Sequence, residues 1–124
     1  MTCEWCKKSP VHSFYIRERT DSHIYFYTCQ ADVTDRTPEY VASHFSGELE
    51  THLQPGMTWS WHYDAREFQF DLCAMDIFFR LLDVFKAHGS SLTEIFIQPN
   101  NMLYVMLRIV HPMLPDHLAR KLRF

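Results

Sequence analysis

Only three glycines occur in 124 residues. A phosphate cradle made of backbone N–H groups needs several of them close together, so glycine-rich nucleotide loops are excluded, and neither a nucleophile elbow nor an HExxH run occurs. Charge of one sign is also short: 12 Lys and Arg against 15 Asp and Glu leave a net charge of -3 with the eight histidines neutral. That offers no basic field, so nucleic acid is not an expected partner, although protonating the histidines near about pH 6 would reverse the sign. Long apolar runs are missing as well. The first ten residues carry Cys, Glu, Trp, Lys and Pro rather than an apolar core, and the most apolar helical stretch is interrupted by Arg108 and too short to span a bilayer. The expectation is a soluble protein of the cytosol or nucleus that does not cross a membrane. Its four Cys then read as thiols or metal ligands rather than disulfides.

Aromatics are plentiful: ten Phe, six Tyr and three Trp. They bury large areas and dominate interfaces, so a domain this small is expected to turn some of them toward a partner. The length suits one domain over residues 1–124, and 47% hydrophobic with 22% charged residues is a globular composition.

The segments His12–Glu18 and His23–Cys29 alternate apolar and polar residues around Arg19-Thr20-Asp21-Ser22, which predicts two arms of a β-hairpin. Thr37-Pro38 predicts a helix start, with Val41, Phe45, Leu49 and Leu53 at four-residue spacing and a stop at Gln54-Pro55-Gly56. From Thr58 to Tyr63 a strand is expected, with Trp59, Trp61 and Tyr63 on one face and Thr58, Ser60 and His62 on the other. A second helix is expected from an Asp71 cap through Lys86, with Gly89 as its stop. Its stripe of Leu72, Met75, Phe78, Phe79, Leu82 and Phe85 is widened by Ile77, Leu81 and Val84, so it should be covered on both sides or sit in an interface. Leu92–Gln98 predicts a strand ended by Pro99, and a third helix starts near Asn101 and breaks at Pro112 before a basic tail. Strands alternating with helices imply an α/β fold: a mainly parallel sheet with three helices, edged by the antiparallel first arm.

Several local patterns resemble the lipid-binding lobe of the CRAL-TRIO (Sec14-like) family over roughly residues 23–124. Trp61-His62-Tyr63-Asp64-Ala65-Arg66-Glu67-Phe68 is similar to that family's strand ending in Asp and its following turn. Ala87 to Leu92, Ile95-Phe96-Ile97-Gln98-Pro99-Asn100 and Val110-His111-Pro112-Met113-Leu114 resemble the approach to the next strand, its exit and the end of a gate helix. Arg120 to Phe124 is similar to the closing strand. Glu67 stands where the family usually has Gly, Gly89 where it usually has Pro, and the helical N-terminal lobe is missing. The resemblance implies a pared-down lobe of that topology.

Cys3-Glu-Trp-Cys6 is a C-x-x-C knuckle, the usual first half of a tetrahedral zinc site. If the hairpin loop is Arg19–Ser22, so that Glu18 faces His23, then His12 falls opposite Cys29 with side chains roughly 5 Å apart. Residues 1–30 would then be a knuckle plus hairpin closing a structural site of Cys3, Cys6, His12 and Cys29, with His23 as the second choice of ligand; a one-residue slip separates the pair. The competing reading is reduced thiols, with Cys29 a small core residue. His62, Asp64, Glu67 and Asp71 gather at a strand's carboxyl end, where they can form an acid/base pair or, more commonly, a capped turn and a satisfied histidine. His117, Arg120, Lys121 and Arg123 can meet a lipid phosphate or an acidic partner, or simply be solvated.

Taken together, these residues predict a non-catalytic protein. The first reading is a structural or adaptor subunit of a larger assembly such as a virion or an organellar complex. The alternative is a module that binds a lipid or other apolar ligand between the sheet and the last helix, through Trp61, Tyr63, Met102, Met106, Ile109 and Val110.

Overall fold

The computed structural model describes residues 15–29, 37–69 and 72–124. The elements run β1 (Tyr15–Arg19), β2 (His23–Cys29), α1 (Pro38–His52), β3 (Thr58–Ala65), α2 (Leu72–Ala87), β4 (Leu92–Pro99), α3 (Asn101–Val110), a 3-10 turn (His111–Met113), α4 (Asp116–Ala119) and β5 (Leu122–Arg123). The α/β class and the mainly parallel sheet are as expected, with strand order β1-β2-β3-β4-β5. β1 is antiparallel to β2, and β2 through β5 are parallel.

Each crossover therefore advances one strand in the same direction. Because such crossovers are right-handed, every connecting helix falls on the same face of the sheet. One buried cluster collects Val41, Phe45 and Leu49 of α1, Ile77, Leu81 and Phe85 of α2, Leu103 and Leu107 of α3, and alternate strand residues from Ile24 to Leu122. The opposite face of the sheet carries Tyr25, Ser60, His62, Asp64, Glu94, Phe96 and Gln98. Among the described residues no helix contributes to that face.

Local chemistry explains where the elements start and stop. The Thr37 side chain accepts a hydrogen bond from Tyr40 N at 3.1 Å with Pro38 in the first turn, so α1 begins where the N-cap residue and the proline agree. After α1 the chain turns through Gly56 at φ 87°, a conformation that favours glycine. Asn100 caps α3 by accepting from Leu103 N at 2.9 Å, while its amide donates to Phe68 O at 2.7 Å and so ties the helix to the loop after β3. Gly89 serves packing rather than turn geometry: a Cβ there would lie 2.9 Å from Phe85 O, with the His117 ring close behind.

The aromatics concentrate in the core. Phe45 is fully buried, and its ring lies 5.6–5.8 Å from those of Phe26, Trp59, Trp61 and Phe85. The indoles of the described residues keep hydrogen-bond partners: Trp59 Nε1 donates to Ser91 Oγ at 3.1 Å and Trp61 Nε1 to Thr28 Oγ1 at 2.8 Å. This meets the rule that buried polar atoms are paired.

Two expectations are corrected, and two further features were not anticipated. At the described residues Glu18 pairs with Tyr25 and Arg19 with Ile24, not Glu18 with His23, and the register shifts again between Ile16 and Glu18. The cause is the short turn: Thr20 N donates to His23 O at 2.8 Å while Thr20 Oγ1 accepts from His23 N at 3.0 Å, closing the loop at Asp21-Ser22, two residues instead of four. In α2 the buried seam is Ile77, Leu81 and Phe85, with Phe78, Leu82 and Val84 partly buried, whereas Leu72 and Phe79 are exposed. The side that meets the sheet and α1 decided the seam, and residue type alone could not. In β4 a bulge between Leu92 and Glu94 lets both Leu92 and Ile95 face the core. The basic tail also folds back. Leu118 and Leu122 are buried, Lys121 Nζ donates to Gly89 O at 2.6 Å, and β5 pairs Leu122 with Ile95. The Asp71 cap, residues 12–14 of the first hairpin arm and the CxxC knuckle lie outside the described residues.

Candidate functional site

Helix α3 is apolar on almost every side. Leu103 and Leu107 are buried and Met106 packs against the core. Met102, Val105 and Ile109, at three- and four-residue spacing, continue into Met113 of the 3-10 turn as an outward stripe, 58–78% exposed. Tyr104 and Arg108 flank it one turn apart, with the guanidinium 5.9 Å from the ring centroid. Among the described residues no helix is long and apolar enough to cross a membrane.

The six residues expected to line an apolar ligand site divide. Trp61 and Tyr63 line a slot between the sheet, α2 and α3, together with Phe78, Leu82 and Leu103. Its free volume is about 30 Å³, room for about two waters. Met106 packs against the core, Val110 is half-buried, and Met102 and Ile109 point outward.

Of the expected zinc ligands, Cys3, Cys6 and His12 lie outside the described residues. Cys29 is buried at the carboxyl end of β2. The pairing that set His12 opposite Cys29 assumed Glu18 opposite His23, and that register does not occur at the described residues. His23 is not a companion for Cys29 either. It sits six residues away on one extended strand, about 20 Å at about 3.3 Å per residue. Its Nδ1 is hydrogen-bonded with Thr58 Oγ1 at 2.6 Å and its Nε2 with Ser60 Oγ at 3.1 Å. Among the described residues no group of three His, Cys, Asp or Glu side chains is placed to hold a metal.

The expected acid/base pair separates. Asp64 is clamped by its neighbour: Arg66 Nε donates to Oδ1 at 2.9 Å and Nη2 to Oδ2 at 2.7 Å. These bonds hold the Asp64 carboxyl below its ordinary value, outweighing its desolvation. His62 turns instead to Arg17 and Gln98. Arginine can only donate, so His62 Nδ1 accepts from Arg17 Nη1 at 3.5 Å, which leaves the proton on Nε2 to donate to Gln98 Oε1 at 3.0 Å. Burial, aided by the Arg17 charge and opposed by the Gln98 bond, lowers the His62 pKa. His62 is therefore a neutral bridge between β1 and β4. Glu67 is exposed, and Asp71 lies outside the described residues.

Sequence reasoning missed the company His62 keeps. Parallel register sets Tyr27, His62 and Phe96 in one row and Tyr25, Ser60 and Glu94 in the next. Arg17 reaches over from the bulged edge strand, 6.0 Å from the Tyr27 ring. Strand alternation predicts which side each residue takes, but the neighbour across the sheet needs the register, which the β4 bulge alters. No family model matches the chain, and no curated protein or solved structure matches it, so its chemistry is read from its own residues.

Proposed function

We propose that this chain is a non-catalytic structural or adaptor subunit of a larger assembly, such as a virion or an organellar complex, and that it docks a protein partner through the outer stripe of α3. One observation carries this reading: four large apolar side chains, Met102, Val105, Ile109 and Met113, stand in line and mostly exposed on a helix whose other side is core. Contiguous exposed apolar patches on soluble domains mark interaction sites, and an apolar helical stripe at this spacing is a common way for one protein to enter a groove on another. Zinc held through Cys3 and Cys6 would add stability to the same subunit.

The test is a photo-crosslinking residue at position 109, expressed in the native host, beside a control at exposed Lys86 on α2. The expected result is one dominant protein adduct from position 109 alone, which disappears when Met102→Glu is added. Identical adduct patterns from the two positions would defeat the reading.

A second reading, a CRAL-TRIO-like module for a lipid or other apolar ligand, is supported by the apolar lining of the slot beneath α3. At about 30 Å³ the slot is too small for a lipid, so on this reading α3 would have to move outward on loading. The intact mass of the natively purified chain separates the two readings: a lipid-sized addition favours the module, and its absence favours the docking subunit.

A further inference from the structure

Strand β1 is the antiparallel edge of an otherwise parallel sheet, five residues long and bulged between Ile16 and Glu18. A bulge leaves a residue out of the ladder, so the backbone holds β1 less firmly than its length allows. Ile16 adds a partly buried contact with the core. Two arginine–histidine pairs add to the attachment. Arg17 Nη1 lies 3.5 Å from Nδ1 of His62 on β3, and Arg19 Nη1 lies 3.3 Å from Nδ1 of His52, the last residue of α1. Arg19 Nη2 also donates to His52 O at 3.5 Å.

The two pairs share one chemical requirement. Arginine only donates, so each Nδ1 is an acceptor and each ring is neutral, with its proton on Nε2. The surroundings agree: His62 Nε2 faces Gln98 Oε1 on β4 at 3.0 Å, and His52 Nε2 faces Glu48 Oε2 on α1 at 3.2 Å. A second proton has only Nδ1 to go to, where it points at a guanidinium. Each hydrogen bond then becomes a contact between two donors and two like charges.

The other groups around the rings do not take over the guanidinium's place at Nδ1. His62 is met by the Tyr27 ring from β2 at 5.2 Å and by the Phe96 ring from β4 at 4.9 Å, both edge-on. Asp64, two residues along β3, is committed to Arg66 through two hydrogen bonds. Glu94 on β4 lines a hollow on the outer face together with His62 and Arg17, and its side chain is exposed and screened by water. His52 has Glu48, which also lies 3.8 Å from His44 Nε2. These carboxylates accept charged rings, and β1 loses both side-chain attachments at once. Burial is the largest reason that His62 stays below its ordinary pKa, and Arg17 adds to it. Moving β1 away removes the Arg17 charge and opens the ring to water. The open form therefore takes up the proton more readily, and acid favours opening as the pH falls from the free-histidine value of about 6.5 toward the lowered one.

We propose that the two arginine–histidine pairs form an acid-released latch on β1: protonation of His62 and His52 lets the edge strand detach while the parallel block β2–β5 stays folded. β2 then becomes the sheet edge, with its outward N–H and C=O groups open to another strand.

The experiment is hydrogen–deuterium exchange of the full chain, read by mass spectrometry and corrected for the slower chemical exchange in acid. Between about pH 7 and about pH 5, peptides covering Tyr15–Arg19 should lose about tenfold in protection, whereas peptides from Leu92–Pro99 should keep theirs. His62→Gln and His52→Gln keep an acceptor for each arginine and remove the titration. The double variant should hold its β1 protection across the same range, a result that a purely structural role for the histidines would not produce. Each single variant should lose part of the pH response, which decides the matter if circular dichroism shows the double variant unfolded. Protection over β1 that does not change with pH in the unaltered chain overturns the proposal, as does an equal loss over β4, which is unfolding of the whole domain. Folded variants that keep the full pH response overturn it as well.

Discussion

Phe45 is the residue whose removal best tests the core. It is fully buried, and its ring touches those of Phe26, Trp59, Trp61 and Phe85, which come from two strands and the neighbouring helix. Phe45→Ala leaves a ring-sized void that backbone on three sides cannot collapse into, and such truncations cost about 3–5 kcal/mol. Each aromatic pair adds about 0.5–1.5 kcal/mol beyond area. The four pairs share one ring and overlap, so the cost belongs near the upper end, about 4–5 kcal/mol, against a total stability of about 5–15 kcal/mol. With an unfolding entropy of about 2.1 cal/mol/K per residue, a loss of about 4 kcal/mol lowers the melting temperature by about 15 °C. Phe79→Ala is the matched control. Its ring is half exposed on α2, so it should cost about 0.5 kcal/mol or less, roughly 2 °C. Thermal melts followed by circular dichroism, with urea midpoints as a check, measure both. If Phe45→Ala melted within about 5 °C of the unaltered chain, or no lower than Phe79→Ala, the aromatic cluster would not be the core described here.

Two further outcomes are expected. Burial holds the pKa of both His23 and His62 below the ordinary 6.5. The unfolded chain therefore takes up protons first, so stability is full above that value and falls as the pH drops below it toward the folded-state pKa values. The melting temperature should decline from about pH 7 to about pH 5, and His62→Gln should flatten the decline; equal slopes for both chains would show that His62 does not carry it. Cys6→Ser should remove one zinc from the intact mass of the natively purified chain and lower its melting temperature. A zinc-free mass for the unaltered chain, with the same melt for the variant, would eliminate the knuckle as a metal site.

How much of this was legible in the residues depended on whether the deciding interaction was local. Thr37 and Pro38 begin α1 by hydrogen bonding and φ restriction within one turn, and four-residue spacing marks Val41, Phe45 and Leu49 as its buried side. The start of α3 could be read as easily, because Asn100 caps it three residues ahead. Alternation in β3 marked Trp59, Trp61 and Tyr63 as core. Non-local decisions were not legible. The seam of α2 depends on which side meets α1, where Arg80 Nη2 also pairs with Glu39 Oε1 at 3.0 Å. The hairpin register depends on how the Thr20 hydroxyl closes the turn. The four residues of α4 are too few to show a period, so the burial of Leu118 could not be read from spacing, whereas the strand at Leu122 agrees with the likeness of Arg120 to Phe124 to a closing strand. Among the candidate sites, the exposure of Met102 and Ile109 could not be told from burial, because α3 is apolar around its circumference and periodicity has no polar face to point away from the core.

The single direction of winding links these surfaces. Parallel sheets are usually covered on both faces, and their strands then read as continuous apolar runs. Here β3 and β4 alternate instead: Trp61 and Ile95 face the helices while Ser60, His62, Glu94 and Gln98 face away. That alternation is what a parallel sheet with one face that no described helix covers requires, since its outer side chains must be content in water or satisfied by one another. His23 with Ser60 and His62 with Gln98 meet that condition by hydrogen bonding across strands. The outer stripe of α3 does not meet it, because Met102, Val105, Ile109 and Met113 have no polar atoms to offer water beyond a weakly accepting thioether. On the proposed reading the partner covers α3, whereas the outer face of the sheet already has cross-strand hydrogen bonds of its own.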